Sequence, residues 1–178
     1  MSILCVFDPS SPALPNKVLT HRADIEAALA EHGVSLIHAE HGLRIRPGTA
    51  DADVLVACGD HLDRLMTTHA SPVYRLVNRD GEQVDALALR EEHTHDGQEV
   101  FAVISGRAQL GLRLGGWVYS VVCEKGDQLT IPANTRRWVE LGETPFCLAF
   151  GLYESEQSAN PLYTGDDAAR AFLGIDEL

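Results

Sequence analysis

From Pro72 onward the chain breaks into short apolar runs separated by turn residues, and this punctuation constrains the fold more than any other feature. The runs are Val73–Asn78, Val100–Ile104, Ala108–Leu114, Trp117–Cys123, Gln128–Ile131, Arg137–Glu140 and Phe146–Tyr153. Between them stand Arg79–Asp80–Gly81, Ser105–Gly106, Gly115–Gly116, Lys125–Gly126, Ala133–Asn134 and Gly142. Glycine supplies the positive φ that tight turns need, and Asn and Asp bond to their own backbone there. Runs this short, with few helices between them, predict an antiparallel sandwich or barrel. The segment Glu82–Arg90 suits helix or strand equally and stays open.

The residues before this region read differently. Thr20 is placed to cap a helix over His21–His32, with Ile25 and Leu29 on one face and Gly33 at its end. A second helix is predicted over Ala52–Thr67, where Val54, Cys58, Leu62 and Leu65 recur at spacings of three and four. Glu40–Asp53 between them reads as strand plus loop. Gly165–Phe172 reads as a short closing helix with Asp166 and Asp167 in its first turn, where the helix dipole favours acids. One domain is therefore expected over all 178 residues: a helical and mixed part over 1–70, a β-rich part over 72–155 and an extension over 156–178.

Charge narrows the function classes. Fourteen Lys and Arg against 26 Asp and Glu give a net charge of −12. That field repels phosphate backbones and anionic lipid, so nucleic acid and membrane are not expected partners. A small-molecule substrate remains open, because one local Arg overrides the global charge. No apolar run approaches the roughly 18 residues of a spanning helix. The first fifteen residues carry no Lys or Arg ahead of their short apolar patch, so no secretory signal is expected. The scattered Cys5, Cys58, Cys123 and Cys147 form no CxxC pair, and reduced thiols in a cytoplasmic protein are the expectation. Monomer and homo-oligomer both remain open.

The chemistry concentrates in Glu91-Glu92-His93-Thr94-His95-Asp96-Gly97-Gln98-Glu99. Residues two apart share a face of an extended chain, so His93, His95 and Glu99 are expected to point one way. Gly97, between them, is expected to leave room for an ion or a substrate. Two imidazoles and one carboxylate make the facial triad of non-haem iron oxygenases, and the set also suits nickel, cobalt or manganese. The bland alternative is a solvated hairpin edge in an acidic loop.

The run His93-x-His95-(x3)-Glu99-(x6)-Gly106 is similar to the first signature of the cupin superfamily, with Leu87 where that signature opens on glycine. Gly126-(x5)-Pro132-x-Asn134-(x2)-Arg137 resembles the second. Within the cupins, the strings EEHTHDGQEV, VYSVVCEKGDQLTIPANTRRW and LYTGDDAAR resemble the acireductone dioxygenase family, most closely over Glu91–Arg170. The resemblance implies an all-β-dominated chain: a single cupin β-barrel (double-stranded β-helix, or jelly roll) with flanking N-terminal helices and a short C-terminal helix. It also implies one Fe(II), Ni(II) or Co(II) per chain in the barrel mouth, with O₂ as co-substrate.

The chain departs from that family at the site itself. The family holds its metal with three His and one Glu, the third His lying in a Thr-Arg-His-Trp string. Here the string is Thr135-Arg136-Arg137-Trp138, and no His follows His95. Phe101 stands where the family has an Arg two residues after the ligand Glu, Gly151 where it has an Arg on the last strand, and Ala159 where a Trp is expected. Three readings compete: a genuine acireductone dioxygenase of methionine salvage, a metal-free small-molecule-binding cupin, and a re-tooled oxygenase. The third is preferred. It uses iron or nickel on a His93–His95–Glu99 triad and acts with O₂ on a small carboxylate-bearing substrate such as cysteine. Arg137 is then both substrate-binding and catalytic, gripping the carboxylate bidentately. Its bland alternative is an ion pair with Glu99, Glu140 or Asp127. Phe101, Trp138, Phe150 and Tyr153 complete the expected pocket, Tyr153 donating to bound oxygen or substrate. Support for the imidazoles is expected from backbone carbonyls or from Glu92, Asp96 and Glu140.

Overall fold

The computed structural model describes residues 1–81 and 89–178, so most of the undecided Glu82–Arg90 segment lies outside the described residues. In chain order the strands are β1 (Ile3–Phe7), β2 (Lys17–Leu19), β3 (Ser35–His38), β4 (Val73–Asp80), β5 (His93–Thr94), β6 (Glu99–Leu114), β7 (Trp117–Glu124), β8 (Asp127–Ile131), β9 (Arg137–Glu140), β10 (Phe146–Tyr153) and β11 (Leu162–Tyr163). Helices α1 (Arg22–Ala30) and α2 (Asp51–Thr68) precede β4, and the single turn α3 (Glu156–Ala159) follows β10.

β6 organises the rest. Two strands broken at Ser105–Gly106 are expected there, but the chain runs through as one strand of 16 residues. Gly106, at φ +75°, lets the backbone change direction without ending the ladder. A register shift opposite it, between Leu148 and Ala149, absorbs the irregularity. The first half of β6 pairs with β10 and β8, and the second half with β7 and β9. One layer therefore reads β11-β5-β9-β6-β7-β1-β2, and the other joins β4, β10, β6, β8 and β3. This is the expected all-β jelly roll. Among the described residues, however, its strands form two layers sharing β6 rather than a ring closed on itself.

Alternation along β6 decides what faces inward. Phe101 and Val103 point between the layers and join Leu110, Leu112, Leu129, Ile131 and Val139 in the main core. Val100, Ala102 and Ile104 point the other way, with Leu148, Phe150 and Leu152, against Val54, Cys58, Leu62 and Leu65 of α2. The stripe that predicted α2 is the stripe it buries. Phe150 therefore packs under α2, edge-on to Tyr74, and not in a pocket. A third cluster joins Cys5, Phe7, Val118, Trp138 and Phe172.

Several local expectations are corrected. β1 and β2 lie in the part read as helical and mixed, where no strand is expected before Glu40, and β3 precedes Glu40 rather than falling within Glu40–Asp53. α1 starts one residue late, at Arg22; its N-cap is His21 and no side chain caps it, so Thr20 has no such role. The closing helix is a short 3-10 turn over Ala168–Ala171, with Asp167 outside it. Asp166 takes the Ala168 N–H on its side chain, and its own N–H bonds the Thr164 hydroxyl. The acids thus shape the turn before the helix instead of its first turn. No described helix is long and apolar enough to cross a membrane.

Candidate metal centre

His93, His95 and Glu99 do meet, though not by strand alternation. β5 ends at Thr94 and β6 begins at Glu99, with a turn between. His93 sits in the sheet opposite Arg137 on one side and Tyr163 on the other. The turn then brings His95 back beside Glu99, so that Nε2 of His95 lies 3.4 Å from Oε2 of Glu99. Asn134, at φ +63°, fixes the turn from outside by donating its N–H to the His95 carbonyl at 2.8 Å. Asn tolerates that backbone better than most residues. Gly97 serves a different purpose from the expected one. A Cβ there would lie 2.7 Å from the Ser158 hydroxyl, so the missing side chain admits α3 rather than an ion.

Both imidazoles are oriented through Nδ1. His93 donates it to the Glu91 carbonyl at 2.8 Å and His95 to the Ser158 carbonyl at 2.6 Å. A carbonyl accepts only, so the proton sits on Nδ1 and Nε2 is left to face inward. This is how metal-binding histidines are held. The rings lie 5.2 Å apart and nearly perpendicular. Burial pushes the His93 imidazole below its ordinary range, against the pull of the Glu91 carbonyl and the Glu99 charge. Glu99 is 4 % exposed. Burial would raise its carboxyl, but Arg137, then His95, the Tyr153 hydroxyl and His93 hold it below its ordinary value and ionised. Arg137 Nη1 donates to Oε1 at 3.0 Å and the Tyr153 hydroxyl donates to Oε2 at 2.5 Å.

The donor chemistry fits a divalent ion. Two imidazoles held by Nδ1–H and an ionised carboxylate lie together in the interior, and a cation would satisfy both the His95 Nε2 and the Glu99 oxygen that faces it at 3.4 Å. Among the described residues no three His, Cys, Asp or Glu side chains stand ready around a common point. The Tyr153 hydroxyl occupies Oε2, the oxygen nearest His95.

Arg137 is 0 % exposed. Besides Glu99 it serves the Thr135 carbonyl through Nε at 3.0 Å and the Pro132 carbonyl through Nη2 at 3.2 Å. Of the expected alternatives, the ion pair with Glu99 is the contact made; Asp127 and Glu140 pair elsewhere, with Arg22 and Arg90. Three of the five guanidinium N–H groups are thereby used. Phe101 faces the interior beside this group. Trp138 does not line it. The residue after inward-facing Arg137 must face outward, and its ring packs over Gly111 and against Phe172. Glu92, Asp96 and Glu140 do not support the imidazoles: they hold Arg113 with Thr164, Gln157 and Arg90 respectively. Ser158 was not anticipated. Ser155 caps α3 by accepting the Ser158 N–H, and this places the carbonyl that orients His95. The spacing Ser155-x-x-Ser158 was the only trace of it in the sequence.

A jelly roll carrying two histidines and a glutamate on its inner wall defines a cupin. The chain belongs to the ARD/ARD' family, whose sequence profile matches residues 73–161. It is 36 % identical over 99 % of its length to the whole of the acireductone dioxygenase of Pseudomonas savastanoi pv. phaseolicola. It is likewise 36 % identical to that of Stutzerimonas stutzeri and 32 % identical to that of Pseudomonas aeruginosa, at the same coverage. The structure of an acireductone dioxygenase from Bacillus anthracis, with cadmium in its active centre, superposes with a TM-score of 0.74 at 16 % identity. It covers 92 % of this chain and 98 % of that one.

Proposed function

We propose that this chain is an oxygenase of the acireductone dioxygenase type, holding one divalent ion, iron or nickel, on His93, His95 and Glu99. The observation that carries this reading is the pair of imidazoles, each tied by Nδ1–H to a carbonyl, with Nε2 of His95 turned toward ionised Glu99. When bound, the ion supplies the Lewis acidity and redox capacity that reaction with O₂ requires. The residues do the rest. His93 and His95 are held in one orientation, Phe101 keeps the inner wall apolar, and the unused N–H groups of Arg137 offer contacts to an anionic oxygen of the substrate. The full-length relatives favour an enediol such as acireductone over the amino-acid substrate expected from Arg137 alone.

The test is metal content after reconstitution with Fe(II) or Ni(II), followed by oxygen uptake with acireductone and with cysteine. One ion per chain and uptake with acireductone are expected, both lost in His95→Ala. Uptake with cysteine alone would return the substrate to the amino-acid class. A second reading, a metal-free barrel that only binds a small molecule, is favoured by the Arg137–Glu99 pair, and a chain that retains no ion would establish it.

A further inference from the structure

Two of the departures from the family pattern meet at one carboxylate. Gly151 lies opposite Phe101 in the β10–β6 ladder, and Tyr153 lies opposite Glu99 two residues along. A Cβ on Gly151 would stand 2.6 Å from the Tyr153 hydroxyl oxygen, so that hydroxyl fills the space a side chain at 151 would take. From there it reaches Oε2 of Glu99, while Arg137 closes on Oε1. Arg137 cannot swing aside, because it is wholly buried and two backbone carbonyls hold its other nitrogens. The replacements at 137 and 151 are therefore one arrangement, built around a carboxylate that is satisfied without any ion.

Resting on the ion centre proposed above, we propose that Arg137 and Tyr153 form a clamp on Glu99 that an incoming divalent ion must open at Oε2. They are positioning residues that set the affinity of the centre, with Gly151 as the vacancy the clamp needs. The hydroxyl and the ion compete for the same oxygen. The guanidinium stays in place, leaves Glu99 one oxygen to offer, and repels the arriving charge. The clamp thus stabilises the ion-free protein and weakens ion binding by the same contacts.

The test is calorimetric titration of Ni(II) into chelator-stripped protein, with the melting temperature of the ion-free form as a second readout. Tyr153→Phe removes the competing hydroxyl; its Ni(II) affinity should rise roughly tenfold, the weight of one hydrogen bond to a charged group, and its ion-free melting temperature should fall. Gly151→Ala keeps the tyrosine but pushes its hydroxyl off Glu99, and should move both readouts the same way. Wild-type binding with natively folded Tyr153→Phe no tighter than wild type overturns the clamp and leaves the ion centre standing. Binding by the two variants but not by wild type supports the clamp and removes the ion from the native protein's function. No Ni(II) bound by any of them, or binding that survives His95→Ala, overturns the clamp and the centre together.

Discussion

Two buried carboxylates in this molecule have nearly the same neighbours and opposite characters. Asp127, 1 % exposed, is met by Arg22 at 2.6 Å, the Ser2 hydroxyl at 3.0 Å, His38 Nδ1 at 2.9 Å and the Glu124 N–H at 2.9 Å. Glu99 is likewise met by an arginine, a hydroxyl and a histidine. The difference lies in which imidazole nitrogen faces the acid. His38 gives Asp127 its N–H, so every neighbour donates. His95 spends its N–H on the Ser158 carbonyl and turns the bare nitrogen toward Glu99. Asp127 is a finished staple joining the N-terminus, α1, β3 and β8; Glu99 keeps a histidine neighbour that lowers its carboxyl by proximity but gives it no hydrogen bond. Identical residue types build a brace or a binding site according to one hydrogen bond outside the cluster.

The comparison is broken hardest at Arg137. Arg137→Met leaves Glu99 charged, buried and without its cation, a loss of about 3–5 kcal/mol in urea unfolding. Saturating Ni(II) should restore part of it, because the ion returns positive charge to the same carboxylate. Failure of any ion to stabilise this variant would mean that Glu99 is as purely structural as Asp127. Asp127→Asn should cost less, about 1–3 kcal/mol, because Arg22 is partly exposed and recovers water when its partner is lost. Ni(II) affinity should stay within about twofold of wild type, since the staple offers the ion nothing; a larger change would couple the two clusters.

Acid should separate them more gently. His93 is held below its ordinary 6.5 by burial, so below that pH the unfolded chain takes up a proton that the folded one refuses, and stability falls. His41 and His61 are depressed for the same reason and add to this limb. Glu99 and Asp127 are depressed carboxylates. The stability they contribute is present above their ordinary values of 4.5 and 3.8, and is lost as the pH falls through their lower folded values. Urea midpoints should therefore decline in two stages on acidification, and His93→Gln should flatten only the first. An unchanged first stage would place its origin in His41 and His61.

The sequence carried the β-rich half well, because turn glycines and alternating apolar residues encode strands locally. Four of the expected strand boundaries shifted by a residue or two, and Arg137–Glu140 and Phe146–Tyr153 stand as expected. What local reasoning could not supply was the continuation of β6 through Gly106. A glycine that ends one strand and a glycine that bends it look the same until the partner strands are known. The site was legible in its donors and not in its geometry. His93, His95 and Glu99 stood out by type, yet what orients His95 comes from Ser158 and Asn134, far along the chain, and only His93 is held by a near neighbour, Glu91. Trp138 was misplaced for a simpler reason: Arg137 and Trp138 are adjacent in a strand, so only one of them can face inward. The N-terminal strands were hidden by their shortness and, for β1, by a partner more than a hundred residues away.

β6 also divides the molecule by how quickly its parts can open. Flanked by partners on both sides over Glu99–Ala102 and Gln109–Leu112, it has few amides there that can meet solvent short of unfolding the whole chain, and proton exchange in these stretches should report global stability. β5 is two residues long and, among the described residues, pairs with β11 and β9 through one or two residues each. Glu99 thus sits at the slow end of the fold and His93 at the fast end. Amide exchange at His93 and Thr94 should therefore run ahead of exchange along β6, because a two-residue strand frays without unfolding the sheet.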